Sequence, residues 1–359
     1  RWGHGEAEHA ALKFFIYTLA GSLLILIGII VLAISGPQIT FDMRALIAEP
    51  VLAGEGPDTG TDTGTGTGVV PALVLLAFVV GFGIKTPVFP LHTWLPPAHV
   101  DAPGPASAIL AGVLLKMGTY GLVRLPLQMM PETFARFALP IALVGLVSIL
   151  WGALVAFAQG NLKRRIAYTS VNHMGYAVLG IAVAGSALGP ETARELAMTG
   201  AVVEMVAHGL ITGALFLIAG AIWSRAQDYE LDRLGGLAGV APRLTGAALL
   251  AAFASLGLPG LAGFVAELHI FLGTFAVYPW IASIGLLGIL VTAALFLRLV
   301  RQAFFGALPE ARAGFADLTR TEAALLGGLL ALVVLIGIWP TWLLSLIDAG
   351  SLLPDGPGG

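Results

Sequence analysis

The chain has 359 residues, of which 57% are hydrophobic and only 11% charged, with a net charge of −3 and a mean hydropathy of +0.92. A soluble domain carries about 25% charged residues, and a globule of this size could not cover itself with so few, so ordinary soluble enzymes, nucleic-acid binders and disordered chains are excluded. The chain is an integral membrane protein whose surroundings are a lipid bilayer, and its lack of cysteine excludes disulfides and Cys-ligated metal centres.

A membrane-spanning helix needs about 20 mostly apolar residues. Nine such segments follow in chain order: 11–34, 69–90, 104–127, 134–158, 165–187, 196–223, 244–273, 279–305 and 321–346. They are apolar all round and lack the alternation of barrel strands, so the fold class is an all-α polytopic bundle. The chain opens on Arg1-Trp2-Gly3, with neither Met nor a signal peptide, which reads as a sequence whose beginning lies further upstream. Between the first two segments, 54–68 is a low-complexity run of Gly, Thr and Asp, expected to be a flexible insertion without function.

Two segments are interrupted. The second reads GFGIKTPVFPLHTWLPPAH, with Pro87, Pro90, Pro96 and Pro97 directly after Lys85. The seventh reads SLGLPGLAGFVAEL, with Gly257, Pro259, Gly260 and Gly263 ahead of Glu267. Proline removes a backbone donor and clashes with the preceding turn, so both helices should be broken. Discontinuous helices at matching places in two halves mark transport sites. The two breaks lie five segments apart, an odd offset that reverses orientation, as an inverted five-helix repeat requires. The division expected is 1–128, 129–306 and a C-terminal helix and tail over 307–359.

Cations in the loops set the orientation. Arg1, Lys13, Lys163, Arg164, Arg165, Arg225, Arg233, Arg243, Arg298, Arg301, Arg312 and Arg320 fall on one side, and Arg44, Arg124, Arg136 and Arg194 on the other. Twelve against four places residue 1 in the cytoplasm and the C-terminus outside. Lys85 and Lys116 belong to neither set and are expected inside the membrane.

Ionisable groups within membrane helices are costly to insert and usually functional. Lys85 stands at the first break, where unwound carbonyls could hold an ammonium; the bland alternative is a lysine that snorkels to the interface. Lys116 lies mid-segment, too deep to snorkel, and a lysine held in a low dielectric releases its proton more readily than one in water. Glu267 follows the second break. His173 and His208 lie inside adjacent segments and titrate near neutrality, although a lone buried histidine is more often just hydrogen-bonded. Glu204 and His208, four apart, share one helix face, so Glu204 is a candidate modulator of His208. His269, two residues past Glu267, should point away from it. No metal-ligand spacing, phosphate loop or nucleophile–base pair accompanies these groups. What remains is a proton or cation path through Lys85, Lys116, His173, His208 and Glu267.

At these residues a family resemblance becomes specific. KFFIYTLAGSL (13–23), IKTPVFPLHTWLPPAHVDAP (84–103), LLKMGTYGLVR (114–124), LKRRIAYTSVNHMGY (162–176), AHGLITGALFLIAG (207–220) and SLGLPGLAGFVAE (255–267) resemble the antiporter-like subunit M, or chain 4, family of respiratory complex I, the NADH–quinone oxidoreductase. The resemblance implies a fourteen-helix fold with two inverted five-helix repeats, of which this chain carries the last nine helices. It also implies proton transfer at Lys85, Lys116, His173, His208 and Glu267. No cofactor is expected in this chain; NADH, FMN, iron–sulfur clusters and quinone would belong to partner subunits, among them the antiporter-like L and N paralogues. The expected location is a bacterial inner membrane.

The chain departs from the family pattern at Pro97, at Gly104-Pro105 and at Glu204, where Asp, Thr and Gln are usual. The glutamate that the family pairs with the first lysine would lie upstream of residue 1. Rival readings are a subunit of a multisubunit Na⁺/H⁺ antiporter or of a membrane-bound hydrogenase, and a structural membrane subunit whose polar residues only lock helices together.

Overall fold

The computed structural model describes residues 3, 5–52, 68–347 and 352–353; the low-complexity run and Arg1 lie almost wholly or wholly outside them. The described residues are nearly all helical. We number the main helices α1 (Ala7–Ile34), α2 (Val69–Lys85), α3 (Leu95–Asp101), α4 (Gly104–Leu127), α5 (Pro131–Ala158), α6 (Leu162–Ala184), α7 (Glu191–Ala226), α8 (Pro242–Ser255), α9 (Ala262–Val277), α10 (Pro279–Phe304) and α11 (Arg320–Ile338).

Six of these, α1, α4, α5, α7, α10 and α11, are long and apolar enough to cross a membrane. Two further passes are broken: α2 with α3, and α8 with α9. The ninth, α6, carries Lys163, Arg164, Arg165, Asn172 and His173 and is protected by position rather than composition. All its residues except Arg164 and Tyr168 are buried, packed between α5, α7, α3 and α9. Glycines set that packing: a Cβ on Gly145 would stand 3.0 Å from the Gly175 carbonyl oxygen, and one on Gly175 2.9 Å from that of Gly145, so α5 and α6 meet backbone to backbone.

Both breaks fall where proline and glycine place them. After Lys85, Thr86 N–H closes the last turn on Phe82 O at 2.7 Å. The freed Ile84 carbonyl accepts from the Trp94 indole at 2.9 Å, and Phe89 N–H donates to Ser148 Oγ at 2.9 Å. The interruption is thus satisfied by side chains, as a break inside a bilayer must be. At the second break Gly257 (φ 77°) and Gly260 (φ 91°) take left-handed backbone, which only glycine adopts without strain. The chain turns back there, and α9 starts at Ala262.

Two details differ from expectation. The last segment, expected to run to 346, ends at Ile338, because Pro340 cannot donate into a continuing helix; a separate short turn, Thr341–Leu344, follows. Two of the loop cations are not in solvent: Lys163 is 0% and Arg165 1% exposed. Lys163 Nζ donates to His99 O at 2.9 Å and to Ala102 O, capping the end of α3. Arg165 donates to Gln159 O and to Gln302 Oε1 at 3.1 Å. Helix carbonyls at a C-terminus attract cations, and here they draw these two beneath the surface.

Candidate functional site

Lys116 lies in α4 between two π-helical stretches, Leu110–Leu114 and Val123–Leu127. A wide π turn inside an α-helix frequently marks a functional position. The Lys116 Nζ donates to Ala111 O at 2.5 Å and lies 2.6 Å from His208 Nδ1 on α7. Glycine permits this approach, because a Cβ on Gly209 would stand 2.8 Å from Gly112 O.

From His208 the groups continue inward. Its ring centroid is 5.6 Å from that of His173 on α6, and its Nε2 is buried without a partner among the described residues. His173 Nδ1 lies 3.3 Å from Glu204 Oε1, both side chains being almost fully buried. His173 Nε2 lies 3.0 Å from the hydroxyl of Ser255, the last residue of α8 before the second break. Between these groups runs a narrow cleft of about 180 Å³, lined by His173, Glu204, His208, Ile211, Thr212, Ser255 and Gly263, with no room for a water-sized sphere. Glu267, 5% exposed, seats its carboxylate on the break: a Cβ on Gly257 would stand 2.4 Å from Glu267 Oε2.

The structure therefore brings Lys116, His208, His173 and Glu204 into one row across α4, α7 and α6, with Glu267 at the far break. Glu204 lies within this row as well. Its ion-pair contact is with His173 on the neighbouring helix, while His208, on its own helix face, is engaged by Lys116. Lys85 stands apart, with its Nζ 3.1 Å from Ser22 Oγ on α1. His269 bonds the Val265 carbonyl at 2.7 Å, within its own helix. Among the described residues no three His, Asp or Glu side chains are grouped as a metal site.

Three buried residues escaped the sequence reading. Ser255 opens a glycine-rich turn and carries no sequence signal of its own. Lys163 was counted as a loop cation. His99, fully buried and stacked on Phe216 at 4.2 Å, keeps both ring nitrogens without a partner among the described residues. In the sequence His99 sits beside Pro96 and Pro97, whose signal is a backbone break rather than a buried imidazole.

Residues 1–296 match the family described as NADH:quinone oxidoreductase/Mrp antiporter, TM. The chain belongs to that family. Among curated relatives it is 39% identical over 350 residues to an NAD(P)H-quinone oxidoreductase chain 4 of Picosynechococcus sp., covering 94% of this chain and 61% of that protein. It is 38% identical over 357 residues to one from Trichormus variabilis, covering 97% and 62%. The chain thus spans about three fifths of the length of these relatives. In a structure titled respiratory complex I from Thermus thermophilus with bound NADH, one chain superposes with TM-score 0.86 at 31% identity, covering 99% of this chain and 71% of that one. A chain of an Mrp complex from Dietzia sp. shares the fold at TM-score 0.79 and 20% identity, over 97% and 68%. The family membership and the complex I superposition establish the antiporter-like all-α membrane fold expected from the motifs.

Proposed function

We propose that this chain is part of a proton-translocating membrane-arm subunit of an NADH–quinone oxidoreductase, in which partner subunits oxidise NADH and reduce quinone. The observation that carries the reading is the 2.6 Å contact between Lys116 and His208, continued by His173 and its Glu204 partner. A protonated amine against an imidazole nitrogen is a proton donor meeting an acceptor. A row of such groups crossing three helices inside a bilayer costs several kcal/mol to insert. Function, rather than helix locking, accounts for keeping it.

In this mechanism Lys85 and Lys116 load protons, His208 and His173 pass them along the centre, Glu204 steadies the charge on His173, and Glu267 delivers them at the second break. Residues 1–128 and 129–306 act as inverted halves, each with its own break, and 307–359 closes the end of the subunit. FMN, iron–sulfur clusters and quinone reside in partner subunits, and the antiporter-like L and N paralogues flank this one. The membrane is the bacterial inner membrane with residue 1 on the cytoplasmic side. Setting aside the buried Lys163 and Arg165 leaves ten loop cations against four, the same sense of orientation.

The test is proton transport driven by NADH oxidation in membrane vesicles carrying the assembled complex with full-length subunit. Lys85→Ala, Lys116→Met and Glu267→Gln are each expected to lower transport and the quinone reduction coupled to it. Variants that assemble and pump as the parent does would refute the path.

A further inference from the structure

We propose that the face of the bundle at His269 on α9 docks a transmembrane helix of another membrane subunit, one that presents a side-chain hydrogen-bond donor to His269 Nε2. The inference rests on the reading above, in which this chain sits among other subunits in the bilayer.

The His269 ring is half satisfied within its own helix. Nδ1 lies 2.7 Å from the Val265 carbonyl oxygen, and a carbonyl only accepts, so Nδ1 carries the hydrogen. In the uncharged ring Nε2 is then an acceptor. That atom has no partner among the described residues and is not enclosed by them, and the residue is half-buried.

Its depth makes this open acceptor costly. His269 stands eight residues before Val277, the end of α9, or about 12 Å along the helix. Just past that end Trp280 is exposed, a residue type that favours the membrane interface. The hydrocarbon core is about 30 Å thick, so Nε2 opens near its middle, beyond the reach of so short a side chain to the headgroups. Leu268, Leu272 and Phe275, at helical spacing on α9, are exposed beside it. On the inner flank a Cβ on Gly200 of α7 would stand 2.9 Å from His269 Cβ, so the ring cannot fold inward there.

Acyl chains offer no donor, and a polar atom left bare among them costs free energy. A spanning helix spends its backbone N–H groups on its own turns. The donor is therefore a side chain: a Ser or Thr hydroxyl, an Asn or Gln amide, or a Lys amine. Apolar contact with a polar bond at its centre is how membrane helices recognise one another.

The experiment compares His269→Leu and His269→Gln with the parent in the purified complex carrying the full-length subunit. Retention of each other membrane subunit is measured as detergent is raised. Leucine matches the apolar stripe and removes the acceptor, whereas glutamine keeps a carbonyl acceptor. His269→Leu is expected to hold one neighbouring subunit roughly threefold less tightly, the scale of a hydrogen bond between membrane helices, and His269→Gln to hold it as the parent does. Retention by His269→Leu equal to or better than the parent means that the residue faces lipid, and overturns the proposal. So does a loss in His269→Gln as large as in His269→Leu. If His269→Leu does not accumulate, a photoreactive benzoylphenylalanine at position 269 decides. An adduct with a helix of another subunit supports the contact; an adduct with lipid alone, or with another segment of the same polypeptide, overturns it. A parent that purifies without other membrane subunits refutes the wider reading. A parent that keeps them while His269→Leu holds them equally refutes the His269 contact alone.

Discussion

Lys116 Nζ and His208 Nδ1 stand 2.6 Å apart with no carboxylate between them, so the pair is suited to share one proton and not to hold two. At that separation two positive charges in a low-dielectric interior repel strongly. If the lysine works by gaining and losing a proton, a permanent cation cannot replace it. Lys116→Arg is therefore expected to lose NADH-driven proton transport as completely as Lys116→Met, because arginine does not give up its proton in proteins. Transport in vesicles and complex abundance measured together check this; an active arginine variant would mean that the position needs only charge.

Gly257 combines a left-handed backbone with a carboxylate 2.4 Å from where a Cβ would stand. Gly257→Ala should destabilise the subunit by about 1–2 kcal/mol through its backbone alone. It should also push the Glu267 carboxylate off its seat. A lowered thermal midpoint of the purified complex, accompanied by reduced proton transport, is the expected result.

Glu322 holds two jobs at the start of α11. It accepts from Arg225 at 2.7 and 3.0 Å, tying α7 to α11, and from Thr319 N–H at 2.8 Å in a capping box. Glu322→Ala removes both, costing about 1 kcal/mol for the cap, with less than about 1 kcal/mol more for a partly exposed ion pair. Glu322→Gln keeps the cap's acceptor and should fall between Ala and the parent in thermal unfolding.

Asp317 makes the same end of the molecule acid-sensitive. Partial burial would raise its carboxyl, but backbone N–H groups of Arg243, Leu244 and Leu318 donate to it at 2.9, 2.9 and 2.8 Å. With the Arg243 charge, they hold it below the usual carboxylate range. A folded value below the unfolded one means stability that is present above the unfolded value. That stability is lost as pH falls through the depressed one. Protection of the Arg243, Leu244 and Leu318 amides against hydrogen exchange, relative to the intrinsic rate at each pH, should fall on acidification in the parent protein. In Asp317→Asn that protection should be lower already at neutral pH and nearly flat across the acid range.

The sequence was most informative where chemistry and backbone punctuation coincide. Lysines and a glutamate in apolar runs, next to Pro87 and Gly257, announce themselves, because nothing else in a bilayer tolerates them. Pairings across helices were not readable. Glu204 and His208 share a helix face, yet Glu204 meets His173, because the close α7–α6 packing turns it toward the neighbour. Ser255 carries no signal of its own, since a serine before LGLPG looks like any turn former. Lys163 misled for a physical reason: a cation next to Arg164 and Arg165 reads as a loop, and only the fold shows α3 ending against it with free carbonyls. The end of α11 was overrun because hydropathy continues past Pro340 while hydrogen bonding does not.

The burial of α6 on every side also bears on how the protein is made. A helix with Lys163, Arg165, Asn172 and His173 has little reason to leave the translocation machinery for lipid by itself, since its polar groups find their partners only on other segments. Its nearest partner in the chain is α5, strongly apolar and joined to it by Gln159, Gly160 and Asn161. The two are fitted to enter the bilayer as a hairpin, so the α5-facing side of α6, with Asn172 bonded to Ile149 O, is covered from the moment of insertion.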